Sequence, residues 1–384
     1  MSVTPLNILV AASMSATPGQ GGWTWAVLQY VLGLRQLGHH VLLLDVLPEA
    51  ASSTMAGALE NSVSASEFQR TTSQFGLDGE AGLLLHGTAQ TVDVTYADMR
   101  NFARRADLLL NLSGSLRDGT LRDAPRVRAY VDLDPCFTQL WHAIHNIDMG
   151  FAGHSHFVTV GMAIGNACCN VPTCALSWIN SPQPIVLERW PRVDHPHNAA
   201  LTTVANWRGY GSIEHGGVFY GQKAHSLRPL MSLPRRTEQE FRLALAIHAN
   251  EQKDLEALRE NGWQLIDPAE ASGTPQAFQQ FVQTSQGEFA LAKSGYALSR
   301  CGWFSDRSLC YLASGRPVVA QDTGFDCFLP SREGILPFHD LDTAAAAVED
   351  MRRDYPRHCA AARAVAETVF DARRVLGQLL ERLM

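Results

Sequence analysis

The sequence predicts an α/β protein made of two parallel-sheet domains that face each other across a cleft. Three observations lead there. The chain has 384 residues, too many for one ordinary core, and is 46% apolar and 18% charged, a globular composition. Apolar strands alternate with helical patterns in both halves. Between the halves, Pro172, Pro182, Pro184, Pro191 and Pro196 allow no helical period.

Residues 7–12 (Asn-Ile-Leu-Val-Ala-Ala) read as a buried strand. The loop "SMSATPGQGG" leads into a helix in which Trp23, Val27, Tyr30, Val31 and Leu34 recur at helical spacing, and Gly38 stops it. "VLLLDVL" (41–47) is a second strand, apolar throughout because parallel strands are covered on both faces. This βαβ unit opens a domain whose later strands are "ADLLLNLSG" (106–114) and "RAYVDLDP" (128–135). A second set begins at "LTTVANW" (201–207). It runs through strand 241–249, helix 251–262, strand 263–268, helix 277–285 and strand 287–293 to a helix at 306–314 and a strand at 317–321. The expected division is an N-terminal Rossmann-like domain over 1–180, a proline-rich linker over 181–197, and a C-terminal Rossmann-like domain over 198–384 whose last helix is able to cross back.

Net charge of −7 and a pI near 6.0 lead to the expectation that nucleic acid is not a partner, since phosphate binding needs a basic surface. Eight cysteines in so long a chain suggest no disulfide framework, and a reduced cytoplasmic setting is expected. The start "MSVTPLNILVAASM" has no basic leader, and no apolar run reaches the ~20 residues that cross a bilayer.

The stretch "SRCGWFSDRSLCYLASGRPVVAQDTGF" (299–325) carries the chemistry. Ser305 or Asp306 caps a short helix, Gly315 ends it, and Pro317 starts a strand. The helix N-terminus then lies at the carboxyl ends of the strands, where its free N–H groups favour a phosphate. Arg300 and Arg307 can add charge-assisted bonds. Asp306 opposes an anion and is left to cap the helix or to contact a hydroxyl. Lys293, at the end of an apolar strand beside Gly295, can reach a phosphate as well.

"ASGRPVVAQDTGF" resembles the C-terminal signature of GT-B glycosyltransferases, and "GGWTWAVLQYVLGLRQLGHHVLLL" resembles their N-terminal one. The resemblance implies a GT-B enzyme that moves a sugar from a nucleotide-diphosphate donor to a small-molecule acceptor, with no obligatory cofactor or metal. It implies donor contacts from Gly21 and Gly22, from the phosphate loop with Gly302, Ser305 and Arg307, and from Asp322, Thr323 and Gly324 on the sugar. Arg208 stands where such enzymes place a basic residue. The pattern is broken at Leu309-Cys310-Tyr311, where retaining members carry a ribose-binding glutamate. Trp23, Trp25 and the 134–157 region are expected around the acceptor.

A catalytic base is harder to place. The first loop has no histidine, so Asp134 is favoured, with Asp132 and His154 behind it. Three rivals remain open. His142, His145, Asp148, His154 and His156 suggest a metal-dependent hydrolase, although their spacing fits no compact zinc motif. Asp132-Leu-Asp134 spells the metal-binding Asp-x-Asp of GT-A transferases. Asp45, after a glycine-rich turn, stands where a nicotinamide dehydrogenase holds its ribose. Cys168, Cys169 and Cys174 read as small buried apolar residues.

Overall fold

The computed structural model describes residues 4–48, 58–194, 196, 198–330 and 332–384, so positions 1–3 and positions 195 and 197 of the expected linker lie outside the described residues. The first sheet contains β1 (Asn7–Ala12), β2 (His40–Leu47), β3 (Ala81–Leu85), β4 (Thr91–Val92), β5 (Leu108–Leu112), β6 (Val127–Asp132), β7 (His156–Thr159) and β8 (Trp178–Asn180). Their spatial order is β4-β3-β2-β1-β5-β6-β7-β8, and β4 alone is antiparallel to its neighbour. The second half begins with β9 (Ala200–Asn206) and a short hairpin of β10 (Ile213–His215) and β11 (Val218–Tyr220). With β12 (Glu240–Ala246), β13 (Gln264–Ile266), β14 (Gly287–Ala290), β15 (Val318–Gln321) and β16 (Ile335–Phe338), β9 forms a parallel sheet of order β13-β12-β9-β14-β15-β16.

Each sheet reverses its winding beside its first strand, between β1 and β5 and between β9 and β14. At such a point two successive crossovers run to opposite faces, leaving a crevice beyond the carboxyl ends of the strands.

The helix α1 (Gly21–Gln36) follows β1. Its buried residues run all round it, not in one stripe, because the helices Pro275–Thr284, Asp306–Ala313 and Ala372–Leu383 pack against it. Gly33 permits this: a Cβ there would come within 2.6 Å of Leu376 and 2.8 Å of Ala372. The last helix of the chain thus packs on the first helix. The 306–313 helix has Ser305 as N-cap and Gly315 at φ +73 beyond its end. The Pro275–Thr284 helix starts with Thr274 as cap and proline in its first turn, two positions before the apolar pattern begins.

The halves touch over several sequence-distant contacts. Trp25 Nε1 donates to Pro275 O at 2.8 Å. Ala163 N donates to Cys301 O at 3.0 Å, and Gly302 lies against that backbone at φ +75. A Cβ on Gly302 would come within 2.7 Å of Ala163 N. Gly302→Ala therefore combines a left-handed backbone with a collision across the interface. It is expected to destabilise the fold by about 1–3 kcal/mol, measured by thermal unfolding; an unchanged melting temperature would show that the contact is not close-packed.

Candidate active site

The two crevices face one another and enclose a cleft of about 690 Å³. The first domain supplies Pro18, Gly19, Gln20, Gly22 and Trp23, from the loop after β1 and the first turn of α1. The second supplies the ends of β9 and β12 (Asn206, Ala246, Ile247), the turn after β13 (Asp267, Ala269), Phe278, and Lys223, Asp306 and Arg307. The N-terminus of α1 has neither a side-chain cap nor an acid in its first turn, which leaves positive backbone ends at the cleft.

Two cations line this space. Lys223 is the first residue of the short helix Lys223–Leu227, placed there by the chain returning from the β10–β11 hairpin, where Ala224 N donates to Trp207 O at 3.2 Å. Its Nζ has no hydrogen-bond or ion-pair partner among the described residues. Burial, then the nearby charges of Arg307 and Lys293, hold it well below the ordinary lysine range. Arg307 pairs through Nε with the buried Glu288 at 2.5 Å, while its Nη2 is buried with no partner. Burial works against the charge of Arg307, yet Glu288 more than offsets this and raises its pKa. Asp306 beside it is raised by burial, with Arg307 pulling the other way. A pair of cations with unused donors, next to helix N-termini, is suited to an anion with several oxygens.

Of the residues singled out in the sequence, Gly22 and Arg307 line the cleft, and Ser305 positions Arg307 by accepting from its N–H at 3.3 Å. Gly21 serves domain contact instead, since a Cβ there would collide with the carbonyl of Thr274. Lys293 and Asp134 meet each other across the interface, at 3.0 and 3.1 Å from Nζ to the two carboxylate oxygens. Tyr210 and Tyr296 also donate to that carboxylate, and the ammonium lies over the rings of Tyr210 (4.0 Å), Tyr296 (5.0 Å) and Phe137 (5.1 Å). Burial lowers the Lys293 pKa while Asp134 pulls it up. A carboxylate taken up by two phenols and an ammonium has no oxygen turned to an acceptor hydroxyl, and a lysine so held is not free for phosphate. These two expectations are corrected to one interdomain ion pair.

The remaining expectations are displaced for similar reasons. Asp132 is fully buried and accepts from Gln139 at 2.7 Å, Thr159 at 2.8 Å and Asp134 N at 3.0 Å, so it braces the loop after β6. His154 is held between Asn111 at 3.0 Å and Phe151 O at 3.2 Å, and burial lowers its pKa. Arg208 forms an exposed pair with Glu251 outside the cleft. Arg300 reaches Asp322 at 3.3 Å and Asp326 at 3.7 Å. Asp322 also accepts from Gly324 N at 2.9 Å, and Thr323 Oγ1 donates to Trp303 O at 2.5 Å. The Asp-Thr-Gly loop, with Gly324 at φ +89, is thereby tied to residues 300–303, and both loops serve the domain interface rather than line the cleft.

Trp25 is core, packed on Phe75 and Trp190, whereas Trp23 lines the cleft with its Nε1 on Ser13 O at 3.0 Å. His142, Asp148, His154 and His156 bind separate partners, and no group of three metal-ligating side chains assembles among the described residues. Asp45 is buried and accepts from Met14 N at 2.6 Å and Ser15 N at 2.9 Å, shaping the first loop from beneath and not meeting a ribose. Cys168 is exposed and Cys169 and Cys174 half-buried, contrary to the buried reading. Lys223 was missed; its signal was a lone lysine opening a helix soon after the first strand of the second domain.

No protein-family model matches the sequence, and no curated protein does. Solved structures do match. An alpha-glucosyltransferase in complex with UDP and a 13-mer DNA containing a central A:G mismatch aligns over 99% of this chain and 100% of its own, with a TM-score of 0.64 and 10% identity. Anabaena HepE in complex with UDP-glucose aligns over 98% and 99%, with a TM-score of 0.58 and 12% identity. A glycosyltransferase from Rickettsia africae aligns over 99% and 98%, at 0.52 and 9%. The chain has the GT-B fold, as the paired signatures implied, and its structural neighbours are glycosyltransferases. One expectation is corrected: the first of these structures holds DNA on the same fold, so an acidic net charge does not exclude a nucleic-acid partner. No helix among the described residues is long and apolar enough to cross a membrane.

Removing the charge of Asp134 leaves the half-buried Lys293 without its counter-ion. Asp134→Asn is expected to cost about 3 kcal/mol of stability, and replacing Lys293 by Met in the same chain should recover much of it. Thermal unfolding of the two singles and the double tests this; additive losses would contradict the pairing.

Burial also raises Asp45 and Asp132 to about 6. Between their unfolded value and that raised value the folded chain binds more protons than the unfolded one, so stability falls as pH rises through the window. The melting temperature is therefore expected to increase from about pH 7 to about pH 5. It should fall again below about pH 4, as carboxylates lowered by ion pairing, such as Asp254 beside Arg228, become protonated. A flat profile across pH 5–7 would contradict the assignment.

Proposed function

We propose that the protein is a glycosyltransferase of the hexosyl-transferring kind that uses a nucleoside-diphosphate sugar and passes the sugar to a hydroxyl of a small acceptor. The observation that carries the reading is Lys223, with no hydrogen-bond or ion-pair partner among the described residues, beside Arg307 in a cleft bounded by both switch points. We take residues 1–180 as the acceptor side and 198–384 as the donor side, joined by 181–197. The eight free cysteines fit a reducing, cytoplasmic setting.

In this reading the diphosphate lies between Gly22 and Arg307, with Lys223 on its oxygens. As the bond from sugar carbon to phosphate oxygen breaks, negative charge grows on the leaving diphosphate. Fixed cations and helix N-termini stabilise it without rearranging, so the interaction is stronger in the transition state than before it. No metal is required for that step. Asp306, beside Arg307, is placed to bond a sugar hydroxyl, as acceptor when ionised and as donor when protonated. Trp23 closes the cleft on the first-domain side and helps exclude water.

Nucleotide binding tests the reading. UDP, GDP or dTDP is expected to raise the melting temperature. Lys223→Met should weaken the best of them by about 10- to 100-fold, the worth of a charged hydrogen bond. Transfer assays with sugars, phenols and a hydroxymethyl-bearing DNA duplex then separate small acceptors from nucleic acid. Binding of none of the three nucleotides, or an unaffected Lys223→Met variant, would overturn the proposal.

A further inference from the structure

We propose that the amino edge of the first sheet docks on an anionic lipid surface through Arg104, Arg105, Arg126 and Arg128. This goes beyond the reading of the cleft and holds or fails without it. Residues 1–180 carry nine arginines and no lysine against fourteen aspartates and glutamates. Seven of those nine arginines fall between 100 and 128, where only three of the acids lie. An acidic half with its cations gathered in one short stretch is polarised, and such a stretch is a footprint for a polyanion.

The fold turns that stretch into one surface. The helix Tyr96–Arg105 buries Met99 and Ala103 and ends just before β5, so Arg104 and Arg105 stand at the amino ends of the strands. Arg126 precedes β6 and lies beside them: its N–H donates to Ala106 O at 3.4 Å, and Val127 N to Asp107 O at 3.1 Å. Arg128, the second residue of β6, bonds to the carbonyls of Gly153 at 2.7 Å and Pro125 at 3.1 Å. Arg104, Arg105 and Arg126 are exposed, and Arg128 is half-buried. None of the four pairs with a carboxylate among the described residues, whereas Arg117 pairs with Asp148 at 2.9 Å and Arg122 with Asp123 at 2.7 Å. The other acids of the stretch are engaged as well. Asp107 accepts from Asn7 N at 2.9 Å, and Asp118 accepts from Thr120 N and from Tyr96, both at 2.8 Å. The last-turn arginines also favour the C-terminal end of their own helix dipole. That explains Arg104 and Arg105 in part, but not Arg126 and Arg128, which belong to a strand and its approach.

Position selects the partner. The cleft lies beyond the carboxyl ends of the strands, and this edge lies at their other end, about 16 Å away along the five residues of β5. A nucleic acid serving as acceptor has to reach the cleft, from which these arginines are turned away. A lipid surface asks only for exposed cations on one side of the molecule, with no groove to enter and no base to read. The acidic remainder of the chain is repelled by that surface, which sets the orientation and leaves the cleft open to water.

Co-sedimentation of the full chain with vesicles tests this. Phosphatidylcholine vesicles are expected to leave the protein in solution. Vesicles of phosphatidylcholine and phosphatidylserine in equal parts should carry it down at low salt and release it at about 1 M salt, where the Debye length is about 3 Å. Each of Arg104→Ser, Arg105→Ser and Arg126→Ser should weaken partition about fivefold, and the triple variant about a hundredfold. Thermal unfolding of the triple variant near the wild-type temperature confirms that only the surface has changed. No sedimentation of the wild type with the phosphatidylserine vesicles, or undiminished sedimentation of the triple variant, would overturn the proposal. Retention on duplex DNA at the same salt, by a protein that the vesicles leave in solution, would overturn it in favour of nucleic acid. Failure of UDP to bind the cleft would remove the donor reading and leave this surface standing.

Discussion

An ammonium in an aromatic box, facing a carboxylate from the other domain, sets the geometry on which the site depends. Lys293 leaves the end of β14 and Asp134 leaves the end of β6, so the pair joins the carboxyl edges of the two sheets. Isolated, either charge would be costly in that surrounding; together, with Tyr210 and Tyr296 donating to the carboxylate, they are satisfied. The same pairing neutralises Lys293 and leaves Lys223 unpaired among the described residues that line the cleft. A charge that is paired builds the molecule, and a charge that is unpaired marks where something binds.

The neighbouring loops follow the same division. Arg300, Gly302, Asp322, Thr323 and Gly324 bond with one another and with the backbone near Ala163, making a second strap between the domains. The helix behind them gives its N-terminus and Arg307 to the cleft. The cleft lining and the domain docking thus come from two ends of one short stretch, separated by residues 303–305.

The architecture was legible in the sequence because its causes are local. Apolar strand runs, the helix-closing glycines Gly38 and Gly315 and the pairing of two distant signatures specify the sheets and the helix at 306–313. Placement was legible only where it depends on a helix end: Ser305 caps the 306–313 helix and Arg307 reaches the cleft. Asp134 and Lys293 each look functional when read alone. Their meeting depends on domain docking over 159 positions of sequence, which no local pattern encodes. Arg208 misled because the resemblance alone placed it, while its partner Glu251 stands 43 positions on, beyond the β10–β11 hairpin, the Lys223–Leu227 helix and β12. The weak, short hairpin β10–β11 went unread, and with it the return of the chain that delivers Lys223.

The structural neighbours show how far sequence can drift on this fold, since 9–12% identity accompanies alignment over nearly the whole chain. In this chain the two switch points face one another, with Lys223 and Arg307 lining the cleft between them. A crystal structure with UDP bound tests the account most directly. It should show the diphosphate between Gly22 and the first turn of the 306–313 helix, with oxygens within hydrogen-bonding distance of Lys223 Nζ and Arg307 Nη2. A nucleotide seated elsewhere, with Lys223 still unpartnered, would contradict it.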